Sequence, residues 1–124
     1  MNERKKVVLV GWNPDVVDYK KWPGLTAEKL RAALEGDRDK LNSLGYSAEL
    51  LYINHVDTAF ETASKALTET AYDCVLIGAG VRTVDEHFLV IEQLINAVHQ
   101  SAPSAKICFN TNPCDTAEAV KRWI

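Results

Sequence analysis

Four apolar residues in a row, Cys74-Val75-Leu76-Ile77, stand directly before Gly78-Ala79-Gly80-Val81-Arg82. A run without polar alternation reads as a strand covered on both faces, the signature of a parallel sheet inside an α/β protein. Val7-Val8-Leu9-Val10 repeats the pattern near the start of the chain and also leads into a glycine, Gly11. Two such strands need helices above and below them, which restricts a chain of 124 residues to very few folds.

The remaining elements follow from periodicity and end signals. Residues 5–11 form the first predicted strand, and Thr26 caps a helix carrying Leu30, Leu34, Leu41 and Leu44 on one stripe, with Gly45 as its left-handed stop. Gly36 weakens the middle of that helix without breaking its register. Residues 47–54 read as the second strand, and Thr58 with Glu61 as a capping box for a second helix with Phe60, Ala63 and Leu67 inward. Residues 72–77 are the third strand, and Thr83 with Glu86 is the capping box of a third helix reaching about residue 100. Residues 105–110 make the fourth strand, and Asp115 with Glu118 opens a short last helix that turns Val120 and Trp123 inward.

Strands alternating with helices imply right-handed crossovers and a three-layer α/β/α sandwich, a single domain over residues 1–124 around a parallel sheet of four strands in the order 2-1-3-4. In outline this resembles the flavodoxin-like and Rossmann-like folds, including phosphoacceptor receiver domains. The resemblance stops at the fold. A receiver requires an aspartate at the end of the third strand and an acidic pair after the first, where this chain has Gly78 and Trp12-Asn13. The dinucleotide pattern Gly-x-Gly-x-x-Gly does not follow the first strand, which continues as Gly11-Trp12-Asn13-Pro14-Asp15, and the triphosphate loop ending in Gly-Lys-Ser/Thr does not occur. No nucleotide, flavin or other cofactor is expected.

Charge and composition exclude further classes. The net charge is −3 and no basic face is apparent, so nucleic acid is not an expected partner. No apolar run approaches the roughly 20 residues of a bilayer span, and the charged start resembles no signal peptide, so no membrane partner is expected and the chain reads as cytoplasmic. Three cysteines, two of them inside apolar strands, do not form a disulfide framework. His55 and Asp57 are two metal-type ligands with no second pair, and no metal is expected.

In a parallel sheet, ligands bind beyond the carboxyl ends of the strands, where neighbouring connections leave for opposite faces. With the order 2-1-3-4 that point falls between strands one and three. The candidate ligand-binding residues are therefore Trp12, Asn13, Gly78, Gly80, Arg82, Asn110 and Asn112. Gly78-Ala79-Gly80 with Arg82 suits a phosphate or carboxylate, because backbone amides and a guanidinium converge there; the same segment also reads as nothing more than a tight turn. Asn13-Pro14 and Asn112-Pro113 place asparagines on stiff turns at this rim, and turn formation alone also accounts for them. The connection over residues 12–25, with Trp12, Tyr19 and Trp22, is long enough for a lid or a partner surface.

Catalytic candidates are Cys114, at the mouth of the last helix, with Asp15 and His55. The edge positions of strands two and four set His55 and Cys114 far apart, which weakens a shared proton. The broad apolar surface of the third helix, including Phe88, Val90 and Leu94, is either well-covered core or a homodimer face. Three readings of function result: a homodimeric domain that binds a small anionic molecule, a small hydrolase or transferase working through Cys114 or Asp15, and a protein-protein interaction module.

Overall fold

The computed structural model describes residues 4–82, 88–112 and 115–124 and, at Arg82, the backbone alone. Its four strands, β1 Lys6–Trp12, β2 Ser47–Ile53, β3 Cys74–Ile77 and β4 Lys106–Phe109, form one parallel sheet in the expected order β2-β1-β3-β4. β1 is central. It pairs with β2 from Lys6 opposite Ser47 to Trp12 opposite Ile53, and with β3 from Val7 opposite Cys74 to Val10 opposite Ile77. β3 in turn pairs with β4 from Cys74 opposite Lys106 to Ile77 opposite Phe109.

Among the described residues, five helices cover the sheet: α1 Ala27–Ser43, α2 Ala59–Glu69, the single turn α3 Ala79–Arg82, α4 Phe88–Ser101 and α5 Thr116–Lys121. Because successive strand residues point to opposite faces, Val8, Val10, Val75 and Ile77 meet α2 and α4, while Val7, Leu9, Cys74 and Leu76 meet α1 and α5. Each face thus has its own core. Leu94 of α4 and Leu41 of α1 are the large anchors, 1% and 0% exposed, and burying a leucine contributes roughly 1.5–3 kcal/mol.

Local signals explain α1 in full. Thr26 Oγ1 accepts from the Lys29 amide at 3.1 Å, the helix runs through Gly36, and Gly45 takes φ +102° while the Tyr46 amide reaches back to the Leu41 carbonyl. Two of the capping boxes do not form. Thr58 makes no side-chain cap; His55 Nδ1 instead accepts from the Asp57 amide to start a 3₁₀ turn, Val56–Thr58, and the Phe60 amide donates to Gln93 Oε1 of α4 at 3.0 Å. Asp115 caps nothing in α5, because its carboxylate accepts from the amides of Thr111 and Asn112 and from the Thr111 hydroxyl. The box of Thr83 and Glu86 lies outside the described residues.

Two inward placements also change. Trp123 follows the end of α5 and is 54% exposed, and Leu44 lies beyond the last turn of α1, also exposed. On α4, Val90 and Leu94 are part of the core, so the homodimer face expected from them is not available. Phe88 and Leu89 point outward, 74% and 60% exposed. The division follows from geometry: α4 packs against α2 as well as the sheet, which covers Val90, Leu94, Ala97 and Val98 and leaves the first turn open.

Candidate functional site

The register places side chains in rows across the sheet. Under α1 and α5, Leu50, Leu9, Leu76 and Cys108 of the four strands stand side by side. Two residues further along each strand the row reads Tyr52, Gly11, Gly78 and Asn110, with Gly11 opposite Tyr52 and the other two one step past the last ladder pairs. The middle of that row carries no side chains. Above it lies a cavity of about 560 Å³, a volume suited to a small organic molecule. A Cβ built on Gly11 would meet no atom within 4 Å, whereas one on Gly78 would stand 3.2 Å from the Val10 carbonyl oxygen.

The walls are mainly apolar. α1 contributes Leu30, Ala33 and Leu34, and the connection after β1 contributes Val16, Val17, Trp22 and Leu25 as a roof. That connection is structured by two 3₁₀ turns, Pro14–Val16 and Tyr19–Lys21, each capped by the side chain before it, Asn13 and Asp18. Asn13 fastens its start three ways: its amide N–H donates to the Ile53 carbonyl, its Nδ2 to Asn54 Oδ1 and its Oδ1 accepts from the Asp15 amide. The Tyr19 hydroxyl donates to the Pro14 carbonyl, and burial pushes its phenol up, with Asp15 adding to the shift. Asp15 pairs with Arg31 of α1 at 3.0 Å, which holds the guanidinium more firmly protonated and tethers roof to wall.

One end of the cavity is polar. The Ala79 amide donates to Asn110 Oδ1 at 2.9 Å, Asn110 Nδ2 donates to Thr116 Oγ1 at 2.9 Å, and the Thr116 hydroxyl donates to Asp37 Oδ2 at 2.8 Å. Asn110 and Thr116 are 6% and 2% exposed, so a satisfied network is obligatory there. Burial raises the Asp37 carboxyl above the usual range and the nearby Asp115 adds to this, against the Thr116 hydrogen bond and Lys40.

The residues expected from the sequence divide accordingly. Trp12, Gly78, Gly80, Asn110 and Asn112 line the cavity, together with Gly11. Asn13 stands behind the roof as its fastening, and Asp15 is exposed in its ion pair with Arg31. His55 is exposed on the β2 side, engaged with Asp57. The Arg82 side chain and Cys114 lie outside the described residues. The amides of Gly78, Ala79 and Val81, expected to meet an anion, are already engaged with Val10, Asn110 and Gly78 carbonyl oxygens. Sequence reading missed Asp37 and Thr116. The signal for Asp37 was present: it follows Leu30 and Leu34 and precedes Leu41 at the spacing of the α1 stripe, so a carboxylate occupies an apolar position.

Elsewhere, Cys74 and Cys108 are buried free thiols with sulfurs 3.4 Å apart, and the hydrogen bond between them, with burial, pushes the Cys108 thiol up. Among the described residues no three His, Cys, Asp or Glu side chains gather as a metal site, and no helix is long and apolar enough to cross a membrane. A scan against models of protein families returns no match, and no curated protein matches the chain in sequence, so its function is read from this cleft itself.

Proposed function

We propose that this protein is a small-molecule binding domain, taking a ligand with an apolar body into the cleft over Gly11 and Gly78, beneath the roof that carries Trp22. The observation that carries the reading is a cavity at the one place where the connections from adjacent strands, β1 and β3, depart for opposite faces. Leucine-rich walls set the main character of the guest. The anionic guest expected from the Gly78 to Arg82 segment has less in its favour, because three of the amides there have partners within the fold. No chemical step is needed by this reading, and Asp15 works as a tether outside the cavity. A cytoplasmic setting belongs to the same proposal, supported by the free thiols of Cys74 and Cys108.

A fragment screen read by thermal shift and tryptophan fluorescence tests it. Apolar fragments that raise the melting temperature of the native protein are expected to lose their effect in Gly11→Leu, whose side chain would occupy the cavity. Unchanged binding in that variant rejects the site.

A second reading, homodimerisation, keeps one specific observation in its favour, the exposed Phe88 and Leu89 at the start of α4. The double variant Phe88→Ser, Leu89→Ser is expected to sediment as a monomer where the native chain is dimeric; a native chain that is monomeric at every concentration rejects this reading.

A further inference from the structure

We infer that the guest of this cleft is an amine, an ammonium group on an aromatic or aliphatic body, seated with its N–H donors on Asp37. The inference deepens the reading of the cleft as a ligand site and rests on it.

The hydrogen bonds at the polar end run in one direction only. A backbone N–H can only donate, so the Ala79 amide obliges the Asn110 side chain to present its oxygen there and its NH₂ to Thr116. Thr116 Oγ1 thus already accepts from Asn110, and its proton goes to Asp37, since a carboxylate cannot donate. The series ends at Asp37, on the cavity wall, with Oδ2 occupied and Oδ1 accepting nothing among the described residues. An acceptor at the end of such a series calls for a donor on the guest.

Charge points the same way. Among the described residues, the charged side chains lining the cavity are Asp37 in the α1 wall and Asp18 and Lys21 in the roof, and Asp115 stands near Asp37 from the α5 side. Among the described residues, Lys40, one turn along α1, is the cation that acts on Asp37, and it does not line the cavity. A carboxylate or phosphate on the guest would meet negative charge at the polar end, whereas an ammonium would complete an ion pair partly screened from water, where a charge-assisted hydrogen bond is stronger. Trp22 and Tyr52 in the lining supply the aromatic faces that cations favour.

Three probes of one body separate the possibilities: 2-phenylethylammonium, 2-phenylethanol and 3-phenylpropionate, titrated by tryptophan fluorescence and two-dimensional NMR. The ammonium is expected to bind about tenfold or more tightly than the carboxylate, on the strength of one charge-assisted hydrogen bond. In Asp37→Asn, which keeps an acceptor for the Thr116 hydroxyl, that preference is expected to fall below about twofold, with the alcohol unaffected. Gly11→Leu should abolish binding of all three. Equal or stronger binding of the carboxylate, or an ammonium preference that persists in Asp37→Asn, overturns the amine while leaving the cleft as a ligand site. Failure of all three probes to shift any cavity resonance overturns both.

Discussion

The two faces of the sheet are built from the same four strands and end differently. On the α2 and α4 face, the top of the sheet is closed by Trp12, Ile53 and Ile77, with Val81 tucked in from α3. On the α1 and α5 face, the corresponding row holds two glycines between Tyr52 and Asn110, and α1 enters it with a carboxylate, Asp37, where a leucine would fit its stripe. One face is therefore packed to its rim, and the other is packed at its base and hollow at its rim. The comparison shows two ways of finishing one sheet: side chains meet and stabilise on one face, and are withheld on the other, where the proposed guest would sit.

The largest effect that would break this contrast is on the packed face. Leu94→Ala removes a side chain 1% exposed and should cost about 2–5 kcal/mol, the range for leucine truncation in a tight core, measured by urea unfolding. A loss below about 1 kcal/mol would mean that this face is as loosely filled as the other. Gly11→Ala on the hollow face should act in the opposite sense: its φ is not positive and the new methyl meets nothing within 4 Å, so stabilisation of about 0.4–1 kcal/mol through the unfolded chain is expected. A destabilised Gly11→Ala would place packed atoms above the glycine.

The pH dependence sharpens the contrast further and is the smallest effect. The Asp37 carboxyl is raised in the folded state, mainly by burial, so the folded protein binds its proton more readily than the unfolded chain does. Its contribution to stability is fully present below the unfolded carboxylate range and is lost as pH rises through the folded value. Asp37→Asn should accordingly gain on the native protein in going from pH 4 to pH 7, as read from paired urea midpoints. A difference that does not change across that window would show that Asp37 is as solvated as in the unfolded chain.

Much of this architecture is legible in the residues, for identifiable reasons. Val7 to Val10 and Cys74 to Ile77 are apolar without alternation because both faces are covered, and the order expected for such a chain, β2-β1-β3-β4, is the one observed. The rim is legible for the same reason, since Gly11 stands just inside the end of β1 and Gly78 and Asn110 directly follow β3 and β4. Capping at Thr58 and Asp115 is not, because the decisive partners are distant or compete locally: Gln93 reaches the start of α2 from another helix, and Thr111 claims the Asp115 carboxylate. Asp37 escaped because a stripe defined by its leucines hides the one position that departs from it. Trp123 misled through its apolar size; α5 ends before it and leaves no layer for it to enter.

The bare backbone at Gly11 and Gly80 has a practical corollary for mutagenesis. Both positions have open space where a side chain would begin, so variants there should express and fold with no loss of stability. A survey ranking substitutions by yield or heat resistance would score them as tolerant, while the cavity proposed for the guest was being filled. Positions that matter most to the proposed occupancy are thus the ones that a stability-based scan is built to pass over.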